Sequence, residues 1–179
     1  LKEQIAAHVE EPSIDGLTPI EQLRKIEKLL MPLLKTLDNY WNTYIIPALS
    51  ENNIKLLSID EISEVDKAKL TEYFKKEIYP VLTPLAFDPG RPFPYISNLS
   101  LSLAILIRKP NGENHFARVK VPSILSRLMQ IDNILQPGKA LGVNGNFSAT
   151  YIWLGDLINA NLALLFPGME VVEAHRFRI

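Results

Sequence analysis

Residues 80–107, PVLTPLAFDPGRPFPYISNLSLSLAILI, separate two kinds of sequence pattern. The first half of this stretch contains closely spaced prolines: Pro80, Pro84, Pro89, Pro92 and Pro94. Because proline fixes φ and lacks a backbone donor, no regular helix passes through that half. In the second half, from Leu99 to Ile107, a large apolar residue stands at every second position, which is the period of a half-buried strand. The stretch therefore predicts a rigid connector that leads into a β-sheet.

The residues before the connector follow a helical period. Thr18, Pro19 and Glu21 form a start signal, since Thr18 can cap the helix, Pro19 suits its first position and Glu21 completes a capping box. An apolar stripe at spacings of three and four then follows: Ile20, Leu23, Ile26, Leu30, Leu33, Leu37, Tyr40, Tyr44 and Ala48. The stripe stays in phase across Pro32. We therefore predict one long helix, kinked at Pro32, that ends near residues 50–53.

A second helix is predicted from Ser63 to about Tyr79, after a short extended link over Ile54–Leu57. Its predicted inner face consists of Leu70, Tyr73, Phe74 and Ile78. Residues 1–11 are interpreted as the end of a further helix, which Pro12 and the following turn residues stop.

After the connector, the sequence alternates strands and helices. The turn residues 109–112 predict a hairpin whose return strand runs from His115 to Val121. We then predict a short helix within residues 124–135, a loop over 136–146, a strand over 147–153, a helix over 154–166 and a last strand over 169–179. The predicted fold class is α+β, with an antiparallel helical part over 1–79, the connector over 80–96 and an incomplete domain with a mainly antiparallel sheet over 97–179.

The composition is that of a globular protein, with 47% hydrophobic and 22% charged residues among 179. Cysteine is absent, which excludes disulfides, thiolate metal sites and a cysteine nucleophile. The formal net charge is −1, divided into −4 for residues 1–79 and +3 for residues 80–179. This balance does not favour nucleic-acid binding. No apolar run has the length of a membrane span. From its two ends we expect the chain to be part of a longer protein.

No catalytic constellation is visible, so the sequence predicts no catalytic, cofactor-binding or metal-binding residue. The histidines, His8, His115 and His175, are scattered, and none has a second ligand at metal spacing. Gly138-Lys139 lacks the remainder of a phosphate-binding loop, and Gly142 to Gly145 is interpreted as a flexible loop. The acidic residues of 1–79 lie among lysines, for example Glu10-Glu11, Asp60-Glu61, and Glu64 with Asp66, and are interpreted as solvated surface.

Three longer blocks of sequence follow one another along the chain. The first runs from Tyr73-Phe74 through the connector to Leu101, the second is FARVKVP at residues 116–122, and the third is LFPGMEV at 165–171 with HRFR at 175–178. Together these blocks resemble the polyphosphate kinase family. The blocks occur in the family's order and cover the chain from about residue 17 to its end. Two regions depart from the family's pattern: Gly90-Arg91 stands where many members have Ala-His, and residues 135–150 match only loosely.

The resemblance implies an enzyme that reversibly transfers the terminal phosphate of ATP to polyphosphate, with Mg²⁺, through a phosphohistidine in a His-x-Lys setting. None of His8, His115 and His175 has that setting, so the reacting histidine is expected outside this chain. The family's adenine-contacting asparagine stretch is also absent. What remains resembles the later helices of the N-terminal domain and the first part of the head domain, which the family uses to form dimers.

Three expectations follow for the chain itself. It is inactive alone and binds no cofactor, it binds polyphosphate only weakly, and it forms a homodimer through the part after residue 96. No nucleic acid and no transmembrane segment is expected, and the location is cytoplasmic or peripheral to the inner membrane.

The alternative to a part of the enzyme is a non-enzymatic helical scaffold or interaction module. The same residues also have simpler interpretations: the connector is a spacer anchored by Phe93, Tyr95 and Ile96, Arg91 is a surface charge, and Arg118 with Lys120 forms a small basic patch on one strand face.

Overall fold

The computed structural model describes residues 1–87, 96–138 and 148–178. By its internal contacts, the chain divides into two compact units, Leu1–Glu51 and Asn52–Ile179. The first unit is helical and the second combines helices with two sheets, which confirms the predicted α+β class. The sequence-based domain limits at residues 79/80 and 96/97 stay a prediction.

The first unit consists of helices α1 (Lys2–Ala6), α2 (Pro19–Tyr40) and α3 (Ile46–Glu51), with a π-helical turn over Trp41–Ile45. The predicted start of α2 is confirmed as a capping box. The backbone N–H of Thr18 donates to Glu21 Oε2 at 2.9 Å, and the Thr18 side chain accepts from the backbone N–H of Glu21. Two donors at the helix start that have no partner inside the helix are thus satisfied.

The departure from α-helical geometry lies beyond Pro32, which is inside α2. It occurs at the π-helical turn Trp41–Ile45, just before Pro47 in α3. Pro47 has no N–H to donate to the carbonyl of Thr43, so the regular hydrogen-bond ladder cannot continue there. A π-helical turn is one way for the helix to accommodate this missing donor.

The apolar stripe of α2 is solvent-exposed. Ile20 is 43% exposed, Leu33 66% and Leu37 64%, and Pro19 is the only buried residue within α2. In the described part of the chain, no helix is long and apolar enough to cross a membrane.

The second unit contains a four-stranded antiparallel sheet in the order β2-β4-β3-β7. Its strands are β2 (Pro84–Ala86), β3 (Leu101–Arg108), β4 (Asn114–Lys120) and β7 (Glu170–Arg178). The predicted β3–β4 hairpin is confirmed, and Gly112 in its turn has a φ of +86°, which glycine adopts without strain.

A second sheet has the order β1-β6-β5, from β1 (Ile54–Leu57), β5 (Leu128–Gln130) and β6 (Ala149–Trp153). The segment predicted as an extended link is therefore a strand, and β1 pairs in parallel with β6. The strand β5 was not predicted, because it is three residues long and is defined by its antiparallel pairing with β6.

The remaining helices are α4 (Glu64–Tyr73), which continues as a π-helical turn over Phe74–Ile78, then α5 (Asp132–Leu135), α6 (Leu154–Ala160) and α7 (Leu162–Leu165). The predicted start at Ser63 is confirmed, since its side chain accepts from the backbone N–H of Asp66. The single helix predicted over 154–166 is two helices, divided at Asn161, whose side-chain amide donates to the carbonyl of Leu157.

The core of the second unit lies between the four-stranded sheet and these helices. Its fully buried members include Leu70, Phe74, Leu103, Ile105, Ile107, Ile152, Leu157 and Ile158. The predicted inner face of the second helix is thus confirmed at Leu70, Phe74 and Ile78, with Tyr73 partly buried against the core.

The connector is not only a spacer, because Pro84–Ala86 forms strand β2 and pairs with β4. A proline is compatible with this position because β2 lies at the edge of the sheet as described. Arg91, Phe93 and Tyr95 lie outside the described residues, as does most of the loop predicted over 136–146.

Candidate functional site

The pair Arg118 and Lys120 lies on one face of β4, as the sequence predicted, and both residues line one cavity of about 470 Å³. The core-facing residues of the same strand are Ala117 and Val119, both fully buried. Because side chains alternate along a strand, the two cations point away from the core. Their side chains therefore lie on the opposite face of the sheet.

Arg118 differs from Lys120 in being buried, with only 3% of the residue exposed. Its Nε donates to the Ser102 hydroxyl at 3.2 Å, and Ser102 itself is fully buried in the neighbouring strand β3. A buried charge is tolerated when polar groups solvate it, so Ser102 belongs to the fixed environment of this guanidinium.

Lys120 is exposed and reaches the turn that precedes β3. Its Nζ donates to the Ser97 hydroxyl at 3.3 Å. A second cavity of about 300 Å³ lies between this turn and the segment after β4, with Ser97, Lys120, Ser123 and Arg127 among its lining residues. Ser97, Lys120 and Ser123 line both cavities, which therefore adjoin. We call the two together the Lys120 basin.

The three histidines lie on separate segments of the described chain. His8 lies in the first unit, His175 is on β7 with Nε2 3.3 Å from Glu173 Oε2, and His115 is on β4 with Nε2 3.5 Å from Glu113 Oε2. Among residues 1–87, 96–138 and 148–178, no three or more histidines, aspartates and glutamates are grouped so that they can hold a metal ion.

The acidic residues expected on the surface are exposed or partly exposed, and several of them cap helices. Glu61 accepts from the backbone N–H of Ser58, and this bond holds the pKa of the Glu61 carboxyl below its ordinary value. The pKa of Asp66 is lowered first by its hydrogen bond with Lys69 and then by that with Ser63. These shifts have local structural causes and do not indicate a catalytic pair.

Sequence reasoning identified half of the basin. The spacing of Arg118 and Lys120 on a predicted strand was sufficient to place them together. Ser97 and Arg127 were missed, since the fold brings them to Lys120 from separate segments and neither belongs to a recognisable motif. Arg91, which the sequence analysis interprets as a surface charge, lies outside the described residues.

The fold resembles a known crystal structure, that of polyphosphate kinase from Porphyromonas gingivalis. The superposition has a TM-score of 0.71 at 23% sequence identity and covers 89% of this chain and 26% of that chain. At this identity the likeness concerns the fold, and it includes both helices and sheets of the chain.

Sequence comparison gives a more specific result. The family model described as the polyphosphate kinase N-terminal domain matches residues 1–57, and the model of the polyphosphate kinase middle domain matches residues 65–179. The chain belongs to the polyphosphate kinase family.

Curated relatives that are named polyphosphate kinase match the chain over most or all of its length. It is 44% identical to polyphosphate kinase 1 of Chlorobaculum tepidum over 180 residues, covering 100% of this chain and 25% of the relative. It is 40% identical to polyphosphate kinase of Mycobacterium tuberculosis over 168 residues, covering 93% of this chain and 23% of the relative. The chain thus spans about a quarter of the length of these relatives.

Proposed function

We propose that this chain is the part of a polyphosphate kinase that joins its N-terminal and middle domains, and that the whole protein reversibly transfers the terminal phosphate of ATP to polyphosphate. The observation that carries the proposal is the match of two consecutive family models in one order along the chain. A cytoplasmic location is proposed with it, because the reaction consumes ATP.

The phosphohistidine intermediate is proposed to form outside this chain. Among the described residues, no histidines, aspartates and glutamates are grouped so that they could hold Mg²⁺. His115 and His175 each lie near a glutamate two residues away in sequence. No step through Mg²⁺ is therefore assigned to residues of this chain. The role proposed for the chain itself is structural and dimer-forming.

The test is a comparison of this chain with the product of the complete gene. With ATP and Mg²⁺, the complete protein should form acid-labile protein phosphate and then polyphosphate. A complete protein that forms neither would contradict the proposal and would favour the scaffold or interaction module. A catalytically silent variant of the complete protein, with its His-x-Lys histidine replaced, is the control for contaminating kinases.

We also propose that the part after residue 96 forms a homodimer. Phe166, a large apolar residue of this part, is only 5% exposed and belongs to the core, so it is not available to a partner. The support now comes from the face of the four-stranded sheet opposite the core, where half-buried Leu106 and Phe116 are paired. Apolar side chains at this position favour a partner surface.

Light scattering over a concentration series tests the dimer. We expect a monomer–dimer equilibrium that Leu106→Lys shifts toward the monomer, because a charge on this face opposes its burial. Leu164→Lys, at another partly exposed position on α7, is the matched control and should leave the equilibrium unchanged. A monomer at every concentration, or a polydisperse aggregate, would contradict a defined dimer.

A further inference from the structure

The Lys120 basin has the charge of an anion-binding site. Lys120 and Arg127 line its smaller cavity, and none of the described residues that line either cavity is an aspartate or a glutamate. Arg127 is exposed and its guanidinium has no carboxylate partner among the described residues. Two other arginines of the second unit are paired with carboxylates: Arg108 with Glu170 at 2.9 Å and Arg176 with Asp156 at 2.6 Å. The basin therefore combines two exposed cations, and its described lining residues supply no carboxylate as a counter-charge.

Carbonyl oxygens at the rim of the smaller cavity are already used by the protein. The carbonyl of Ser97 accepts from the Ser100 hydroxyl at 2.7 Å, and that of Leu99 accepts from Arg178 Nε at 3.1 Å. The carbonyl of Leu101 accepts from the backbone N–H of Val121 at 2.9 Å. Each of these three carbonyls already accepts a hydrogen bond, and the lining contributes several donors: hydroxyls, an ammonium and a guanidinium. A donor-rich, positively charged cavity fits phosphate oxygens, which accept hydrogen bonds, and does not fit a cation.

The turn at the rim is held in an unusual backbone conformation. Leu99 has a φ of +58°, in the left-handed region that residues with a side chain rarely adopt, although it is 66% exposed and gains little from burial. Its carbonyl is fixed by Arg178 on β7. Backbone strain of this kind persists where the surrounding structure imposes it, and it frequently accompanies a binding role. The Ser97 hydroxyl is thereby presented to Lys120 by a fixed turn.

The lining also distinguishes a phosphate chain from a nucleotide. None of the described lining residues is aromatic, so the basin has no surface on which a base could stack. The cavity of about 300 Å³ is at the lower limit for a small-molecule site. Both features favour a narrow, linear anion.

We propose that the Lys120 basin binds consecutive phosphate groups of a polyphosphate chain, with Lys120 and Arg127 as the charged contacts and the Ser97 and Ser123 hydroxyls as donors. The choice of polyphosphate among phosphate compounds rests on the function proposed above. No histidine is among the described residues that line the basin, so the proposal assigns it contact with phosphate groups and no step of phosphate transfer. Two charged contacts imply weak binding, with an expected slope of log K against log salt of about −1.4 for a single-stranded polyanion.

The experiment titrates the 179-residue chain with synthetic polyphosphate of about ten phosphates and follows backbone NMR signals at a series of salt concentrations. We expect the largest shifts at residues 97–100 and 120–127. The double variant Lys120→Ala/Arg127→Ala should lower the affinity by about tenfold or more, since charge-assisted hydrogen bonds are the stronger class.

The matched control is Lys76→Ala/Lys109→Ala, which removes the same charge elsewhere. Lys76 is 82% exposed, and Lys109 lies at the opposite end of β4 from Lys120, about 20 Å away along the strand. This variant should change the affinity by less than about twofold. An equal loss in both double variants, or shifts outside the basin, would overturn the proposal.

Two further comparisons complete the experiment. One distinguishes a phosphate chain from single phosphate ions, and the other distinguishes a failure of this site from a failure of the proposed function. Inorganic phosphate at the same total phosphate concentration should bind more weakly than the chain, because it engages one cation at a time; equal binding would overturn the claim of a chain site. The binding assay contains no ATP, so a failure here overturns the site alone. Failure of the complete protein to make polyphosphate overturns the proposed function instead.

Discussion

The two units of this chain use apolar residues with opposite results. In the unit Leu1–Glu51, the regular stripe of α2 is exposed, with Leu33 66% accessible. In the unit Asn52–Ile179, the alternating residues of β3 are buried, with Leu103 fully inaccessible. Both patterns correctly predicted the type of element. Whether the apolar side is buried depends on a second surface, and only the second unit supplies one within its own described residues.

The polar contacts differ in the same way. In the first unit they are local and exposed, such as the capping box of Thr18 and Glu21 and the bond from Gln22 Nε2 to Asp15 Oδ1 at 2.9 Å. In the second unit, Arg118 and Ser102 lie on neighbouring strands, 16 positions apart in sequence, and form a buried contact. We therefore expect the free energy of unfolding to depend mainly on the second unit.

The largest expected difference is between Phe74→Ala and Leu33→Ala. Phe74 is fully buried and its ring contacts that of Tyr79, with the centroids 6.3 Å apart. Removing it should lower the free energy of unfolding by about 3–5 kcal/mol, because a buried cavity is created. Leu33→Ala should change it by less than about 0.5 kcal/mol, as for other exposed positions.

Denaturant unfolding followed by circular dichroism measures both values. Comparable losses for the two variants would mean that the stripe of α2 is buried against another surface in solution. The comparison between the units would then be wrong.

The next largest difference in the free energy of unfolding is expected between Arg118→Met and Lys120→Met. The Arg118 variant keeps much of the side-chain volume but leaves the buried Ser102 hydroxyl without this donor, and it should cost about 1–3 kcal/mol. Lys120 is exposed, so its variant should have little effect on unfolding. Equal stabilities of the two variants, measured by the same denaturant titration, would show that the buried contact does not contribute.

The smallest effect concerns pH and the first unit. The backbone N–H and then the hydroxyl of Thr18 hold the pKa of the Glu21 carboxyl below its ordinary value of 4.5. A lowered pKa in the folded state means that the contribution of Glu21 is present above pH 4.5 and is lost as the pH falls through the folded value. We expect the helical circular dichroism signal to decrease slightly over this acid range.

Glu21→Gln is the matched control, because glutamine can still complete the capping box but does not titrate. If Glu21 is the titrating group, the difference in helical signal between the unaltered chain and this variant should be constant above pH 4.5 and should change as the pH falls below it. An identical acid decrease in both proteins would assign the change to other carboxylates, such as Glu61 or Asp66, whose pKa values are lowered as well.

Local signals in the sequence predicted local structure. The Thr18 and Ser63 starts, the β3–β4 hairpin and the inward positions Leu70, Phe74 and Ile78 depend on neighbouring residues, and the structure confirms them. The parallel pairing of β1 with β6 was missed because its partners are 95 residues apart, as in Ile54 and Ala149, and no local pattern encodes such a contact. Pro47 was overlooked in favour of Pro32, although both lie within the same helical stretch.

The candidate site shows the same limit. The alternation along β4 placed Arg118 and Lys120 on one face, yet it did not indicate that Arg118 is buried on Ser102. The contact of Lys120 with Ser97 joins residues 23 positions apart and depends on how the turn before β3 folds back. The two cations were therefore predictable from the sequence, whereas the cavity around them is defined only by the tertiary structure.

The most direct test of the account is incubation of this chain and of the complete protein with γ-labelled ATP and Mg²⁺, followed by mapping of acid-labile phosphate. We expect the complete protein to become labelled and to form polyphosphate, while this chain takes no label on His8, His115 or His175. Labelling of any of these histidines in the isolated chain would contradict the claim that the reacting histidine lies elsewhere.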